Sequence, residues 1–175
     1  MRSEVVVQAA SAADAERLSL VGRASFLETF AGVLDGRDVV AFCVEEHSPA
    51  WYDAAIRGGA AVWLATLGEA PIGYAVVDRP SLPVKMEPRD LELKRIYLLA
   101  PWHGTGIARR LLSEVKEHAI ASAASRLLLG VYAGNERALS FYRREGFERI
   151  GERSFRVGDK AYDDVVHALT LSPGT

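Results

Sequence analysis

The tightest constraint in the chain is a junction at residues 91 to 115, LELKRIYLLAPWHGTGIARRLLSEV, where an apolar run meets two closely spaced glycines and then a helical pattern. Leu91, Leu93, Ile96, Tyr97, Leu98 and Leu99 suit a strand, and Pro101 stops that run before a turn built on Gly104 and Gly106. Ile107, Leu111, Leu112, Val115 and Ala119 recur at helical spacing, with Arg109, Arg110, Glu114, Lys116 and Glu117 facing away from them. The turn therefore lies at the positive end of a helix. Glycines there let a ligand approach the backbone, and the open amides of a first helical turn bind phosphate without any charged side chain. The stretch predicts a phosphate-bearing ligand.

Two common phosphate motifs do not fit. A dinucleotide fingerprint needs glycine at its first, third and sixth positions, and Gly104, Gly106 and Arg109 fail at the third. The Gly-Lys-Ser/Thr of a P-loop is absent, as are a Gly-x-Ser-x-Gly elbow and a histidine pair on one helical face. His103 shares no ligand spacing with His47, His118 or His167, so no metal is expected. The 21 basic and 23 acidic residues are balanced and dispersed, which argues against nucleic acid or an anionic membrane as partner and favours a small molecule. Cys43 is the single cysteine, so no internal disulfide forms and a reducing compartment is expected. MRSEVVVQAA is too short in apolar residues for a signal peptide, and no stretch approaches the ~20 apolar residues of a membrane span, so the expected location is the cytoplasm. Arginine outnumbers lysine 17 to 4, a bias in keeping with a GC-rich bacterial genome.

In chain order, Val5 to Val7 read as a strand, and Ser11 with Asp14 forms a capping box for a helix running to about Phe30. A helix over Asp38 to Glu46 is expected to bury Val39, Val40, Cys43 and Val44, and Ser48-Pro49 opens a short helix ended by Gly58-Gly59. Ala61 to Leu67 and Ile72 to Asp78 are strands around the turn Gly68 to Pro71. Pro80, Pro83 and Pro88 keep 78 to 90 a loop, long enough to serve as a lid or wall. After the central helix come a buried strand (Arg126 to Tyr132), a helix (Asn135 to Glu145), a strand (Phe147 to Phe155), the turn Gly158-Asp159 and a last strand (Asp163 to Leu171). The order predicts an α/β fold with a mixed sheet in one domain over 1–171, followed by a flexible tail at 172–175.

His103-Gly104-Thr105-Gly106-Ile107-Ala108 resembles the acetyl-CoA motif of the GNAT superfamily of N-acetyltransferases, Arg/Gln-x-x-Gly-x-Gly/Ala, with His103 departing at the first position. GVYAGNERALSFYRREGF (130 to 147) resembles the second half of that cofactor site, through Asn135, Phe141, Tyr142, Gly146 and Phe147. The whole chain is similar to bacterial proteins of the spermidine/spermine N-acetyltransferase group, through SFLETF (25 to 30), LELKRIYL (91 to 98), the 129 to 147 stretch and FRVGDKAYDD (155 to 164). The resemblance implies a mixed, mostly antiparallel sheet of about seven strands, flanked by helices and splayed at the central strands. It also implies transfer of an acetyl group from acetyl-CoA to a primary amine, a polyamine or similar small amine, by direct attack in a ternary complex. A homodimer is a further expectation of the family.

Residue by residue, the resemblance implies that the backbone of Ile96, Tyr97 and Leu98 holds the pantetheine arm. The amides of 103 to 108 would hold the pyrophosphate, with Arg109 or Arg110 on outer phosphates, and Asn135 would contact the arm as well as capping its helix. An ammonium with a pKa of about 10.4 must lose a proton before it attacks, and Glu92, eleven residues before His103, matches the family's glutamate base; Glu28 and Asp78 are alternatives. Tyr142 matches the tyrosine that protonates the departing thiolate. Phe26, Glu28, Phe30, Tyr132 and Phe155 are expected at the acceptor site, and Glu28, Glu92, Asp163 or Asp164 would hold the distal charges of a polyamine. The residues themselves leave open an acyl-CoA-binding sensor or partner-binding module without turnover, and a peptide N-terminus, a lysine or an aminated drug as acceptor.

Overall fold

The computed structural model describes residues 4–172, so 173–175 of the expected tail lie outside the described residues. Strands β1 (Val5–Ala9), β2 (Ala61–Leu67), β3 (Ala70–Asp78), β4 (Asp90–Leu98), β5 (Arg126–Tyr132), β6 (Glu148–Val157) and β7 (Lys160–Thr170) form one sheet. Its order is β1-β2-β3-β4-β5-β7-β6. Every neighbouring pair is antiparallel except β4 and β5, which run parallel. The mixed, mostly antiparallel sheet expected from the sequence is the one present.

Helices α1 (Ala15–Phe30), α2 (Gly36–Glu46) and α3 (Pro49–Arg57) lie on one face, while α4 (Ile107–Ala121) and α5 (Glu136–Arg144) lie on the other. The largest core cluster joins Leu111, Leu112 and Val115 of α4 to Ala75, Leu93, Leu127 and Leu129 of the sheet. Opposite it, Leu18 and Val21 of α1 and Tyr52 of α3 pack on Leu64, Tyr74 and Val76. The loop between β3 and β4 covers the rest of that face with Leu82, against Leu128 and Val166.

Local chemistry accounts for most of the element boundaries. The Ser11–Asp14 capping box forms, on a short 3₁₀ turn that leads into α1, and the Ser48 hydroxyl accepts from the Trp51 amide to open α3. Both hairpins are tighter than the sequence suggested. Gly68-Glu69 and Gly158-Asp159 are two-residue turns, with Gly68 and Gly158 at positive φ, so β3 starts at Ala70 and β7 at Lys160. Pro71 is tolerated inside β3 because the register slips beside it, leaving Ile72 as the extra residue. A further correction concerns α2, where Val39 and Cys43 are buried but Val40 and Val44 are exposed. Only one side of that helix meets the body of the protein.

A second slip shapes the site. On β4, Leu93 pairs with Val77 and Arg95 with Val76, so Lys94 is a bulge. Leu91, Leu93, Ile96 and Leu98 therefore all face the α4 side, although two residues separate Leu93 from Ile96. Glu92, Arg95 and Tyr97 face the α1 side.

Candidate active site

β4 and β5 pair only over Asp90–Glu92 with Arg126–Leu128. Beyond that point β4 stays with β3 and β5 stays with β7, so the sheet splits into a wedge whose fork is Glu92. The paired end is clamped by charge: Arg126 donates to both oxygens of Asp90 at 2.9 and 2.6 Å, and the Glu87 amide adds a third bond at 2.7 Å. Burial opposes ionisation of Asp90, but these bonds outweigh it and hold the carboxyl below the usual range. A cleft of about 760 Å³ runs through the open end of the wedge.

One end of the cleft is built by the glycine turn. Gly104 and Gly106 have φ of 74° and 86°, and nothing lies within 4 Å of where a Cβ would stand on either. Gly106 is the N-cap of α4 and offers no side-chain acceptor, so the first-turn amides of the helix are left open. Gly104, Gly106, Ala108 and Arg109 line the cleft. This cradle fits a pyrophosphate, and the open edge of β4 fits the amide-bearing arm of coenzyme A. His103 sits here in a fixed tautomer: its Nε2–H donates to the Leu98 carbonyl at 2.7 Å, because a carbonyl only accepts, and its Nδ1 accepts from Arg137 at 2.8 Å. Arg137 and Arg144 also line this end, whereas Arg109 is paired with Glu145 at 2.8 Å.

At the fork, Glu92 is 3% exposed. Its Oε2 accepts from the Ser81 amide at 2.8 Å and from Lys94 Nζ at 2.7 Å, which brings the β3–β4 loop and the bulge to the same oxygen. Tyr142 of α5 lines the cleft from the α4 side, and Asn135 caps α5 by accepting from the Ala138 amide at 3.2 Å. Burial raises the Tyr142 phenol, and Tyr97 adds to the shift. Burial also pushes the Tyr97 phenol up to about 12, with the charge of Asp164 adding to the shift and that of Arg95 opposing it.

The other end is aromatic and internally paired. Phe26 and Phe30, one helical turn apart on α1, meet the rings of Phe42 and Tyr132. Arg95 lies 3.7 Å from the Trp51 ring and donates to the Glu46 carbonyl at 2.7 Å. Arg95 and the Tyr52 hydroxyl both approach Nδ1 of His47, so that nitrogen is the acceptor and Nε2 carries the hydrogen. Burial, with the charges of Arg95 and Arg23, pushes His47 down to about 3, and the ring is neutral at ordinary pH. Arg153 pairs with Asp164 at 3.0 Å, reaching across Gly130, where a Cβ would collide with the guanidinium.

Of the residues singled out from the sequence, Glu92, Ile96, Tyr97, Leu98, His103, Gly104, Gly106, Ala108, Arg109, Asn135, Tyr142, Phe26, Phe30, Tyr132 and Phe155 all line this one cleft. Three do not. Glu28 is exposed, and its Oε2 accepts from the Ala100 amide at 2.9 Å. It lies two residues from both Phe26 and Phe30, roughly 200° round the helix, so it points away from the face they share. Thr105 turns its hydroxyl to the Trp102 carbonyl, and the Ile107 side chain is buried in the core, so these two can serve a ligand only through backbone amides. Asp78 and Asp163 also lie outside the lining. Sequence reasoning passed over His47, Arg95, Trp51, Arg137 and Arg153: Arg95 reaches His47 and Trp51, and Arg137 reaches His103, from distant segments, while Arg153 meets Asp164 across the last hairpin.

Residues 28–147 match the acetyltransferase (GNAT) family. An uncharacterized N-acetyltransferase of Mycobacterium bovis is 39% identical over 100 residues, which are 57% of this chain; the chain spans 60% of that relative's length. An N-alpha-acetyltransferase, RimI, of Mycobacterium tuberculosis is 35% identical over 101 residues, 56% of this chain and 60% of that protein. The crystal structure of PaiA N-acetyltransferase from Thermoplasma acidophilum, in complex with coenzyme A, superposes with a TM-score of 0.77. It covers 95% of this chain and 99% of its own at 21% identity, a likeness of fold.

Proposed function

We propose that this chain, which belongs to the GNAT family of acetyltransferases, transfers an acetyl group from acetyl-CoA to a primary amine by direct attack in a ternary complex. The observation that carries this reading is the wedge: a split between β4 and β5 that opens at a buried glutamate and continues to a glycine cradle at a helix N-terminus, within one cleft. The coenzyme A held in the structurally similar PaiA protein supports the choice of cofactor.

When bound, acetyl-CoA supplies an acyl group activated as a thioester. The open amides of α4 and the turn at 104 to 109 hold its phosphates, with Arg137 and Arg144 as neighbouring cations. The free edge of β4 at Ile96 to Leu98 holds the arm and polarises the carbonyl. Glu92 would take the proton that the ammonium must lose before its nitrogen attacks the acyl carbon, and pass it to solvent. Tyr142 would give a proton to the sulfur as the carbon–sulfur bond breaks, and be restored by the second proton that the nitrogen loses. One C–N bond forms, one C–S bond breaks, and one proton is released in net for each ammonium acetylated.

A polyamine acceptor would need several free carboxylates. The cleft is lined by three, Glu46, Glu92 and Asp164, and each lies within 4 Å of a cation, Arg95, Lys94 and Arg153 respectively. The support for a polyamine rests on the motif resemblance read from the sequence alone, whereas the name of the mycobacterial N-alpha-acetyltransferase RimI points to an α-amine. A single primary amine is the common ground.

Amide hydrogen exchange with and without acetyl-CoA tests the reading. Protection is expected in 93 to 98 and 104 to 109, with β1 and β2 unchanged. Binding that protects other segments would contradict it, as would no binding.

A further inference from the structure

The acceptor end of the cleft has a floor whose chemistry selects more narrowly than "amine". Two pairs of directly opposed residues on β5, β7 and β6 set it out: Tyr132 opposes Asp164, and Asp164 opposes Arg153, so the three stand in one row on one face of the sheet. In the next row Tyr162 opposes Phe155. Rings then continue without a break from Tyr162 to Tyr132 (6.4 Å between centroids), Phe30 (6.1 Å), Phe26 (4.6 Å), Phe42 (4.7 Å) and Phe155 (5.7 Å). All six line the cleft.

Two buried polar atoms at this end have no partner among the described residues: the Nε2–H of His47, a donor against Phe26 and Phe42, and a carboxylate oxygen, the one acceptor of the two. Asp164 is 4% exposed. Both Arg153 nitrogens that reach it, Nε and Nη2, go to the same oxygen, Oδ2. Oδ1 is buried and has no hydrogen-bond partner among the described residues. A buried carboxylate oxygen left open costs stability unless something fills it. The room for that group has been made on purpose by the sequence, since Gly130 is what lets the Arg153 guanidinium lie across β5 to hold the other oxygen. Asp164 and Tyr97 line the same cleft, Tyr97 from β4 and Asp164 from β7, so the open oxygen belongs to a residue of the wall that borders the wedge.

Resting on the acetyl-transfer reading above, we propose that the acceptor is a primary amine one or two carbons away from an aromatic ring, its nitrogen received by Asp164 Oδ1 and its ring by the Phe30–Tyr132–Phe155 wall. A single ammonium matches a single open oxygen. A polyamine's further charges would find only carboxylates that are already paired. The same chemistry occurs in a free arylalkylamine and in a peptide whose first residue is aromatic.

The test is calorimetric titration of 2-phenylethylamine, the tripeptide Phe-Gly-Gly and spermidine into the full chain saturated with coenzyme A. At least one aromatic amine is expected to bind about tenfold or more tighter than spermidine, and which of the two does so identifies the source. Asp164→Asn is expected to weaken that amine about tenfold or more while coenzyme A affinity stays within about twofold, the loss of one charge-assisted hydrogen bond. Should Asp164→Asn fail to fold, Phe30→Ala carries the same test, with a comparable loss for the aromatic amine and little for spermidine. Spermidine binding as tightly as both aromatic amines, no aromatic amine binding, or an unchanged affinity in the variant would overturn the proposal. Failure of coenzyme A itself to bind would instead remove the acetyl-transfer reading beneath it.

Discussion

Replacing His47 by Asn should flatten the acid sensitivity of the fold, and the size of the effect follows from the burial of one ring. His47 is 1% exposed and its imidazole is held at about 3, against an ordinary value of 6.5. A base whose folded pKa is depressed takes up its proton only on unfolding. Its contribution to stability is therefore whole above pH 6.5 and is lost as pH falls toward 3. Linkage across these two values gives a loss of about 2 kcal/mol at pH 5 and about 0.1 kcal/mol at pH 7.5. Asn keeps an acceptor oxygen near the position of Nδ1, where Tyr52 and Arg95 donate, and removes the titration. The missing ring costs roughly 1–3 kcal/mol of packing at both pH values alike, so it cancels in the comparison. Urea unfolding at the two pH values is the assay. The parent protein should lose about 2 kcal/mol more than His47→Asn between pH 7.5 and pH 5. Equal losses in the two proteins would refute the reasoning, since the ring would then be titrating in the folded state.

Other perturbations separate chemistry from structure. Glu92→Gln should lower turnover about 10²–10⁴-fold at neutral pH and recover in part at high pH, where the amine deprotonates unaided; steady-state rates against pH check this, and full activity at every pH would exclude Glu92 as the base. Tyr142→Phe should slow turnover with little change in acetyl-CoA affinity, and a large loss of affinity would make Tyr142 a packing residue. Asp90→Ala should cost about 1–3 kcal/mol in urea unfolding, because the largely buried Arg126 loses both its bonds to Asp90 and keeps only Glu87 at 3.4 Å and the Lys85 carbonyl at 3.1 Å. The carboxyl of Asp90 is depressed in the fold, so its contribution is present above the unfolded value of 3.8 and is lost as pH falls through the lower folded one. The variant should accordingly show a weaker acid transition below about pH 4, read by circular dichroism.

The cofactor end of the site is legible in the sequence because it is local: Gly104, Gly106 and the first turn of α4 need no distant partner to define them. The bulge at Lys94 is written there too, in the slip from Leu91 and Leu93 to Ile96 and Leu98, which breaks strict alternation. The acceptor end is another matter, because it is assembled from α1, α2, β4, β5, β6 and β7. Its one recoverable feature lies in the last hairpin. With Gly158-Asp159 read as a two-residue turn, Val157 pairs with Lys160 and the ladder brings Arg153 opposite Asp164. Starting the last strand at Asp163 hid that pairing. Glu28 misled for the opposite reason, since an acidic residue between two cleft-facing phenylalanines lies on the wrong side of its helix.

Release of free thiol from acetyl-CoA by the purified protein, with spermidine, 2-phenylethylamine, a lysine-bearing peptide and an aromatic N-terminal peptide compared side by side, tests the central claim most directly. Thiol released only when a primary amine is present, in equal amount to the acetylated amine, is the predicted result. Acetyl-CoA bound in the wedge with no amine raising thiol release above the rate of hydrolysis would contradict it, and would leave a protein that holds the cofactor without turning it over.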